Sequence, residues 1–89
     1  MEQQIQTKII KRLRADGWLV LKVIKLSASG YPDLLCHRNG QTMYVEVKQN
    51  KGVVSTLQNL RIQELTEKGI IVKIWTDYET DFKGRSIKN

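Results

Sequence analysis

The stretch YPDLLCHRNGQTMYVEVK (residues 31–48) decides the fold, because it has the pattern of a β-hairpin. Two apolar arms, residues 33–38 and 41–48, flank the pair Asn39 and Gly40. Asn-Gly is the strongest short-range hairpin signal, since a type I′ turn needs two residues with positive φ. Each arm also contains a carboxylate, Asp33 in the first and Glu46 in the second. Two acids inside a half-apolar hairpin need a physical reason.

The length of the turn predicts which residues of the two arms face each other. With a two-residue loop, Arg38 and Gln41 form the first pair, and counting outward from it brings Asp33 opposite Glu46 on one face. The Cβ atoms of such a pair lie roughly 4.5–5.5 Å apart, and like charges there repel. A divalent cation between the acids, protonation of one acid, or screening by solvent would relieve the repulsion.

A bound Mg²⁺ is the favoured explanation, because Mg²⁺ takes one or two carboxylates and completes its shell with water and phosphate oxygens. Lys48 lies two residues beyond Glu46, so strand alternation directs it to the same face. Two acids and an amine therefore converge on one patch. The alternative is a solvated charge cluster with a structural role only.

The opposite face of the hairpin is apolar and is predicted to pack against a helix. Leu35, His37 and Tyr44 share the face of the acids, so that face is only partly polar. We interpret His37, close to the turn, as an exposed strand residue. The predicted core residues of the hairpin are Leu34, Cys36, Met43, Val45 and Val47.

The remaining elements follow from periodicity and from glycine and proline positions. Residues 2–16 are predicted to be a helix, residues 18–26 a strand and residues 27–32 a loop. A second helix is predicted at residues 55–68, with Ser55 as N-cap and Gly69 ending it, followed by a strand at residues 70–75. Trp18 and Trp75 are expected to pack at the edge of the core. The order α-β-β-β-α-β, followed by a polar tail at residues 77–89, indicates an α/β or α+β class.

Composition limits the possible functions. The 89 residues are expected to form one domain, residues 1–89, and their formal net charge of +6 favours nucleic acid over membrane as partner. A basic surface that merely confers solubility is the plain alternative. Cys36 is the single cysteine, which excludes an intramolecular disulfide and a cysteine cluster for zinc. With no apolar run long enough to span a membrane and no signal-peptide pattern, we expect an intracellular protein.

Several of these motifs together resemble a known nuclease family. The segments GYPDLL and YVEVK resemble the two halves of the PD-(D/E)xK nuclease signature, with Pro32 and Asp33 in one half and Glu46, Val47 and Lys48 in the other. MEQQIQTKIIKRL at the start and VSTLQ before the second helix resemble the virus-type replication-repair nuclease (VRR-NUC) subgroup. The resemblance covers about residues 2–75. It implies a restriction-endonuclease-like α/β fold with an αβββαβ core, in which helices flank a mixed central sheet.

The resemblance also implies residue roles. Asp33, Glu46 and the backbone carbonyl of Val47 would ligate Mg²⁺ or Mn²⁺, and Lys48 would activate water and stabilise charge on phosphorus. Gln58 matches a glutamine that holds the lysine or the substrate, although Ser55-x-x-Gln58 is also a capping box. Glu2 matches an acid that reaches the metal through water.

The implied activity is metal-dependent endonucleolytic cleavage of branched DNA. Four-way (Holliday) junctions are the first choice, because small resolvases of the superfamily act as homodimers that can cut two strands symmetrically. Flaps and plain duplex are alternatives, as are a basic DNA-binding or assembly module without catalysis and an RNase or nucleotide hydrolase. The subgroup suggests a phage-encoded replication or repair protein in the cytoplasm of a bacterial host. Candidates for contacts with the DNA backbone are Lys8, Lys11, Arg12, Arg14, Lys22, Lys25 and Lys51.

Overall fold

The computed structural model describes residues 2–48 and 54–75, and within them the elements follow the predicted order. Lys51 and the predicted tail at residues 77–89 lie outside the described residues. The elements are α1 (Glu2–Ala15), β1 (Leu19–Lys22), β2 (Leu34–Arg38), β3 (Gln41–Val47), α2 (Thr56–Glu67) and β4 (Ile71–Trp75). The predicted α/β class with an αβββαβ core is confirmed.

The four strands form one mixed sheet in the order β1-β2-β3-β4. β1 pairs with β2 and β2 with β3 in antiparallel fashion, whereas β3 and β4 are parallel. Parallel neighbours need a long crossover connection, and α2 lies in the segment that joins β3 to β4. The predicted mixed central sheet is therefore present, with β1 and β4 at its edges.

The hairpin forms as its turn residues predict. Asn39 has φ of 51° and Gly40 has φ of 80°, the positive values that a type I′ turn requires. The ladder runs from Arg38 opposite Gln41 to Leu34 opposite Val45, which is the predicted register. One local turn thus determines which side chains of both arms share a face.

The strand predicted at residues 18–26 is shorter in the structure, and this part of the prediction is wrong. β1 ends at Lys22, which pairs with Leu34, the first residue of β2. The amide of Val23 still donates to the carbonyl of Asp33 at 2.8 Å, but residues 24–26 belong to no strand. Their apolar character indicates a strand, yet a strand needs a partner, and β2 does not extend far enough to supply one.

The core lies between α1 and one face of the sheet. Ile5, Ile9 and Leu13 of α1 belong to the same buried cluster as the apolar face of the hairpin. Trp18 and Trp75 are also buried, as expected for residues at the core edge. The predicted hairpin core is confirmed, because each of its residues is at most 1% exposed: Leu34, Cys36, Met43, Val45 and Val47.

The second helix packs less tightly than the first. α2 packs against β4, and none of its residues is fully buried. Ser55 caps its N-terminus, and Gly69, with φ of 81°, follows its C-cap residue Lys68. Within the described part of the chain, neither helix is long and apolar enough to cross a membrane.

Candidate active site

Asp33 stands at the end of the loop that leads into β2, fixed through both its backbone and its side chain. Its carbonyl accepts the amide of Val23, the residue after β1, and its Oδ2 accepts the backbone amide of Val47 in β3 at 2.9 Å. Continuing the ladder would put Asp33 opposite Glu46. Asp33 instead lies just before β2, and its carboxylate reaches the amide one residue beyond Glu46. The carboxylate is thereby held against the strand that carries Glu46.

Glu46 is a buried acid in the middle of the sheet. It is 1% exposed, the one buried charged or polar residue among those whose side chains the structure describes. Its Oε2 accepts a hydrogen bond from Nε2 of Gln58 at 2.8 Å and lies 3.3 Å from Nζ of Lys48. A buried carboxylate is costly unless charge and hydrogen bonds compensate it. Glu46 is therefore compensated by Lys48, the residue after β3, and by Gln58 of α2.

Lys48 approaches Glu46 from the end of the same strand. Its backbone amide donates to the carbonyl of Trp75 at 2.8 Å, which ties the end of β3 to the end of β4. Its side chain is 15% exposed and forms the ion pair with Glu46. Alternation along β3 predicts that the two side chains share a face, and the ion pair agrees with it.

Gln58 makes both of the contacts that its position in the sequence left as alternatives. Its side-chain Oε1 accepts the backbone amide of Ser55 at 2.9 Å, and its backbone amide donates to Oγ of Ser55 at 3.1 Å, so the capping box is formed. Its Nε2 donates to Glu46 at the same time. A carboxamide has both an acceptor and two donors, so one side chain can cap the helix and hold the acid.

These contacts make Ser55 and Gln58 a matched pair of variants. Ser55→Ala removes one acceptor from the cap and is expected to lower the free energy of unfolding by about 0.5–2 kcal/mol. Gln58→Ala is expected to lower it further, because buried Glu46 also loses its amide donor. Urea unfolding of both variants checks this prediction. Equal losses would mean that the Gln58–Glu46 hydrogen bond adds nothing to stability.

A set of contacts that the sequence did not predict fastens α2 to the loop before Asp33. Nε of Arg61 donates to the carbonyl of Ser29 at 2.7 Å, and its guanidinium lies 5.2 Å from the ring centre of Tyr31. Nη1 of Arg61 also pairs with Glu64 at 3.2 Å. The spacing of Gln58, Arg61 and Glu64, three residues apart along one helix face, is the signal that could have revealed these contacts.

Gly30 lets α2 and this loop approach closely. It has φ of 90°, and a Cβ at this position would lie 2.6 Å from Cγ of Leu57. Tyr31, the next residue, stacks at a tilt against Tyr44 of β3, with ring centres 6.4 Å apart. The helix that carries Gln58 and the loop that carries Asp33 therefore form one packed unit.

The basic residues predicted to contact DNA fall into separate groups. α1 packs on the apolar face of the sheet, whereas Glu46 belongs to the other face, so the cations of α1 are not brought together with the acids. Lys22, the last residue of β1, and Lys25, in the segment that follows β1, are both exposed. The Glu2 side chain and Lys51 lie outside the described residues. The exposed cations of α1 are Lys8, Lys11, Arg12 and Arg14.

The donor atoms at this site fit a hard divalent cation. Carboxylate oxygens of Asp33 and Glu46, with the backbone carbonyl of Val47 between Glu46 and Lys48 in sequence, are ligands that Mg²⁺ and Mn²⁺ accept. Among the side chains that the structure describes, in residues 4–48 and 54–75, no group of three or more His, Cys, Asp or Glu is placed to hold a metal ion. Such an ion would thus keep water or substrate oxygens in much of its shell.

Burial raises the pKa of the Cys36 thiol to about 11, so this cysteine stays protonated and is a poor metal ligand or nucleophile.

The chain has a mixed four-stranded sheet within an αβββαβ core, one acid just before β2, a second in β3 and a lysine two residues after the second acid. This is the restriction-endonuclease-like arrangement of the PD-(D/E)xK nucleases. Residues 1–76 match the VRR-NUC domain, and the chain belongs to this nuclease family. The family expectation drawn from the motifs is confirmed.

Two solved structures are similar to this chain. A structure described as a VRR_NUC domain matches with a TM-score of 0.80 and 27% identity, covering 89% of this chain and 87% of its own. Hjc, a Holliday junction resolvase from Archaeoglobus fulgidus, matches with a TM-score of 0.63 and 15% identity, covering 98% and 84%. At that identity, the second match supports the fold alone. No curated protein sequence matches significantly.

Proposed function

We propose that this protein is a divalent-metal-dependent endonuclease that hydrolyses phosphodiester bonds in branched DNA, with four-way junctions as preferred substrate. The observation that carries the proposal is the buried Glu46, paired with Lys48 and Gln58 beside the fixed carboxylate of Asp33, in a chain of the VRR-NUC family. The likeness of fold to a Holliday junction resolvase supports the choice of substrate.

The residues of the site have two proposed roles: some ligate a cation, and Lys48 stabilises negative charge. Asp33, Glu46 and the Val47 carbonyl are the proposed ligands of Mg²⁺ or Mn²⁺, with Glu2 acting through water. When bound, the ion would polarise a phosphoryl oxygen and supply water of lowered pKa. Lys48 orients that water and stabilises the negative charge that develops on the phosphoryl oxygens. Gln58 acts through Glu46, whose Oε2 it holds in place.

DNA recognition would rest on charge and on symmetry. The formal net charge of +6 favours salt-sensitive binding to the phosphate backbone without reading of sequence. A homodimer would place two sites about a two-fold axis, which suits symmetric cuts in a four-way junction. Light scattering on the 10.3 kDa chain measures the oligomeric state. A phage-encoded role in replication or repair fits the same activity by analogy with the family.

Cleavage of a labelled four-way junction tests the proposed function. We expect cutting with Mg²⁺ or Mn²⁺, none with EDTA, and none by Asp33→Ala, because this variant loses one of the two proposed carboxylate ligands. Products should carry a 5′-phosphate and a 3′-hydroxyl. Parallel assays on flaps, plain duplex and RNA rank the substrates. Binding without metal-dependent cutting would contradict the proposal and favour a non-catalytic DNA-binding module.

A further inference from the structure

A groove of about 340 Å³ lies beside the loop that leads to Asp33. It is lined by residues 23–26, which continue the chain after β1, and by residues 28–31. Pockets that bind small organic groups begin at about 300 Å³. The groove is therefore large enough for a single nucleobase and too small for a duplex.

The lining segment after β1 exposes two large apolar side chains. Ile24 is 85% exposed, the highest value among the large hydrophobic residues of the described chain, and Leu26 is 46% exposed. Exposed apolar groups concentrated in a groove mark a binding surface more often than scattered ones do. Lys25, between them, places a cation at the same groove.

The other lining segment, residues 28–31, is held in place by contacts with α2 and β3. Tyr31 is positioned by the Arg61 guanidinium above its ring and by Tyr44 against it. The backbone of the preceding loop is fixed by the hydrogen bond from Arg61 to Ser29. A lining residue held in this way loses little conformational entropy when a ligand enters the groove.

The groove is connected directly to the candidate active site. Val23, which lines it, donates its amide to the carbonyl of Asp33 at 2.8 Å, and Tyr31 is two residues before Asp33. A nucleotide in the groove would therefore be close to the phosphodiester presented to Asp33 and Glu46. The exposed apolar side chains of Ile24 and Leu26 suit an unstacked base, and Lys25 suits its phosphate.

We propose that this groove binds a single unstacked nucleotide at the branch point of the DNA, with Ile24 as the apolar contact to the base. Branch points offer unpaired or weakly stacked bases, whereas regular duplex does not, so the groove would select branched DNA over linear DNA. Apolar side chains at disrupted base steps are a known means of recognising distorted DNA. This inference rests on the proposed function, because it assigns a source of selectivity to the same site.

Base-analogue fluorescence tests the groove without requiring cleavage. A four-way junction carrying 2-aminopurine at the branch point, or within an arm as reference, is titrated with protein in EDTA. We expect the wild type to change the fluorescence of the branch-point probe far more than that of the arm probe. Ile24→Ser should remove this difference and weaken junction binding roughly 5- to 20-fold, the size of one base contact. Affinity for linear duplex should stay unchanged.

Leu60→Ser is the matched control, because Leu60 is an exposed leucine of α2 (47%) outside the groove. It should behave as wild type, and Ile24→Gln, which keeps the side-chain bulk, should reproduce the loss if Ile24→Ser folds poorly. The proposal is overturned if Ile24 variants match the control, or if junction and duplex binding weaken equally. Light scattering that gives Ile24→Ser half the mass of the wild type would overturn it as well, since the groove would then be an interface between two copies. A probe response without any Mg²⁺-dependent cutting would refute the nuclease function alone.

Discussion

Replacing Lys48 with alanine is expected to abolish cleavage of a four-way junction while leaving binding nearly intact. The Lys48 ammonium lies 3.3 Å from Glu46 and is largely shielded from solvent, so its charge acts where screening by water is weak. Removal of a charge-stabilising donor from an active site commonly lowers kcat by roughly 10²- to 10³-fold. Single-turnover cleavage with Mg²⁺ measures the rate, and a gel-shift assay in EDTA measures binding.

The matched control removes the same charge elsewhere. Lys68→Ala changes the exposed C-cap residue of α2 and should cleave at the wild-type rate. Lys48→Arg keeps a cation near Glu46 but cannot place it as compactly, so partial activity is expected. A loss of junction binding by Lys48→Ala as large as its loss of cleavage would assign Lys48 to DNA docking. Circular dichroism of each variant separates these effects from unfolding.

Among the glycines that the structure describes, all with positive φ, Gly30 is the one whose replacement by alanine is expected to destabilise the protein most. A left-handed backbone costs an L-residue about 1–2 kcal/mol. The new methyl would also lie 2.6 Å from Cγ of Leu57, and such overpacking typically adds about 1–3 kcal/mol. To relieve the contact, either the Leu57 side chain must change rotamer or α2 must move away from the loop. Urea unfolding measures the stability, and the cleavage assay reports whether Asp33 and Gln58 remain aligned.

Gly69 provides the control for backbone strain. It has φ of 81°, close to the 90° of Gly30, but a Cβ there would meet nothing within 4 Å. Gly69→Ala should therefore show the backbone cost alone, and the difference between the two variants measures the contact with Leu57. The double variant Gly30→Ala/Leu57→Ala should recover part of that difference. Equal destabilisation by Gly30→Ala and Gly69→Ala would show that the contact with Leu57 is relieved at no cost.

Local chemistry explains why so much of the hairpin could be predicted. The turn at Asn39 and Gly40 depends on two residues that tolerate positive φ, and this preference acts over a few residues only. Once the turn is set, strand alternation separates Cys36 and Val45 from His37 and Tyr44. The predicted core of the hairpin was therefore correct.

Contacts between distant segments could not be predicted in the same way. The end of β1 depends on where β2 begins, and the apolar run through Ile24 contains no information about that limit. The bond from Gln58 to Glu46 depends on how α2 lies over the sheet, although each residue had been singled out. The contacts of Arg61 with Ser29 and Tyr31 join segments some 30 residues apart.

The sequence by itself determined the hairpin, its register, the order of elements and the family, because these depend on turn geometry, on periodicity and on a motif of adjacent residues. Only the tertiary structure decided that Glu46 is buried, that Gln58 both caps α2 and holds this acid, and that α1 carries its cations on the opposite side of the sheet. The physical reason is that burial and side-chain pairing depend on the packing of whole elements. Residue spacing along the chain determines which side chains share a face of one element, whereas packing determines which side chains of different elements come into contact.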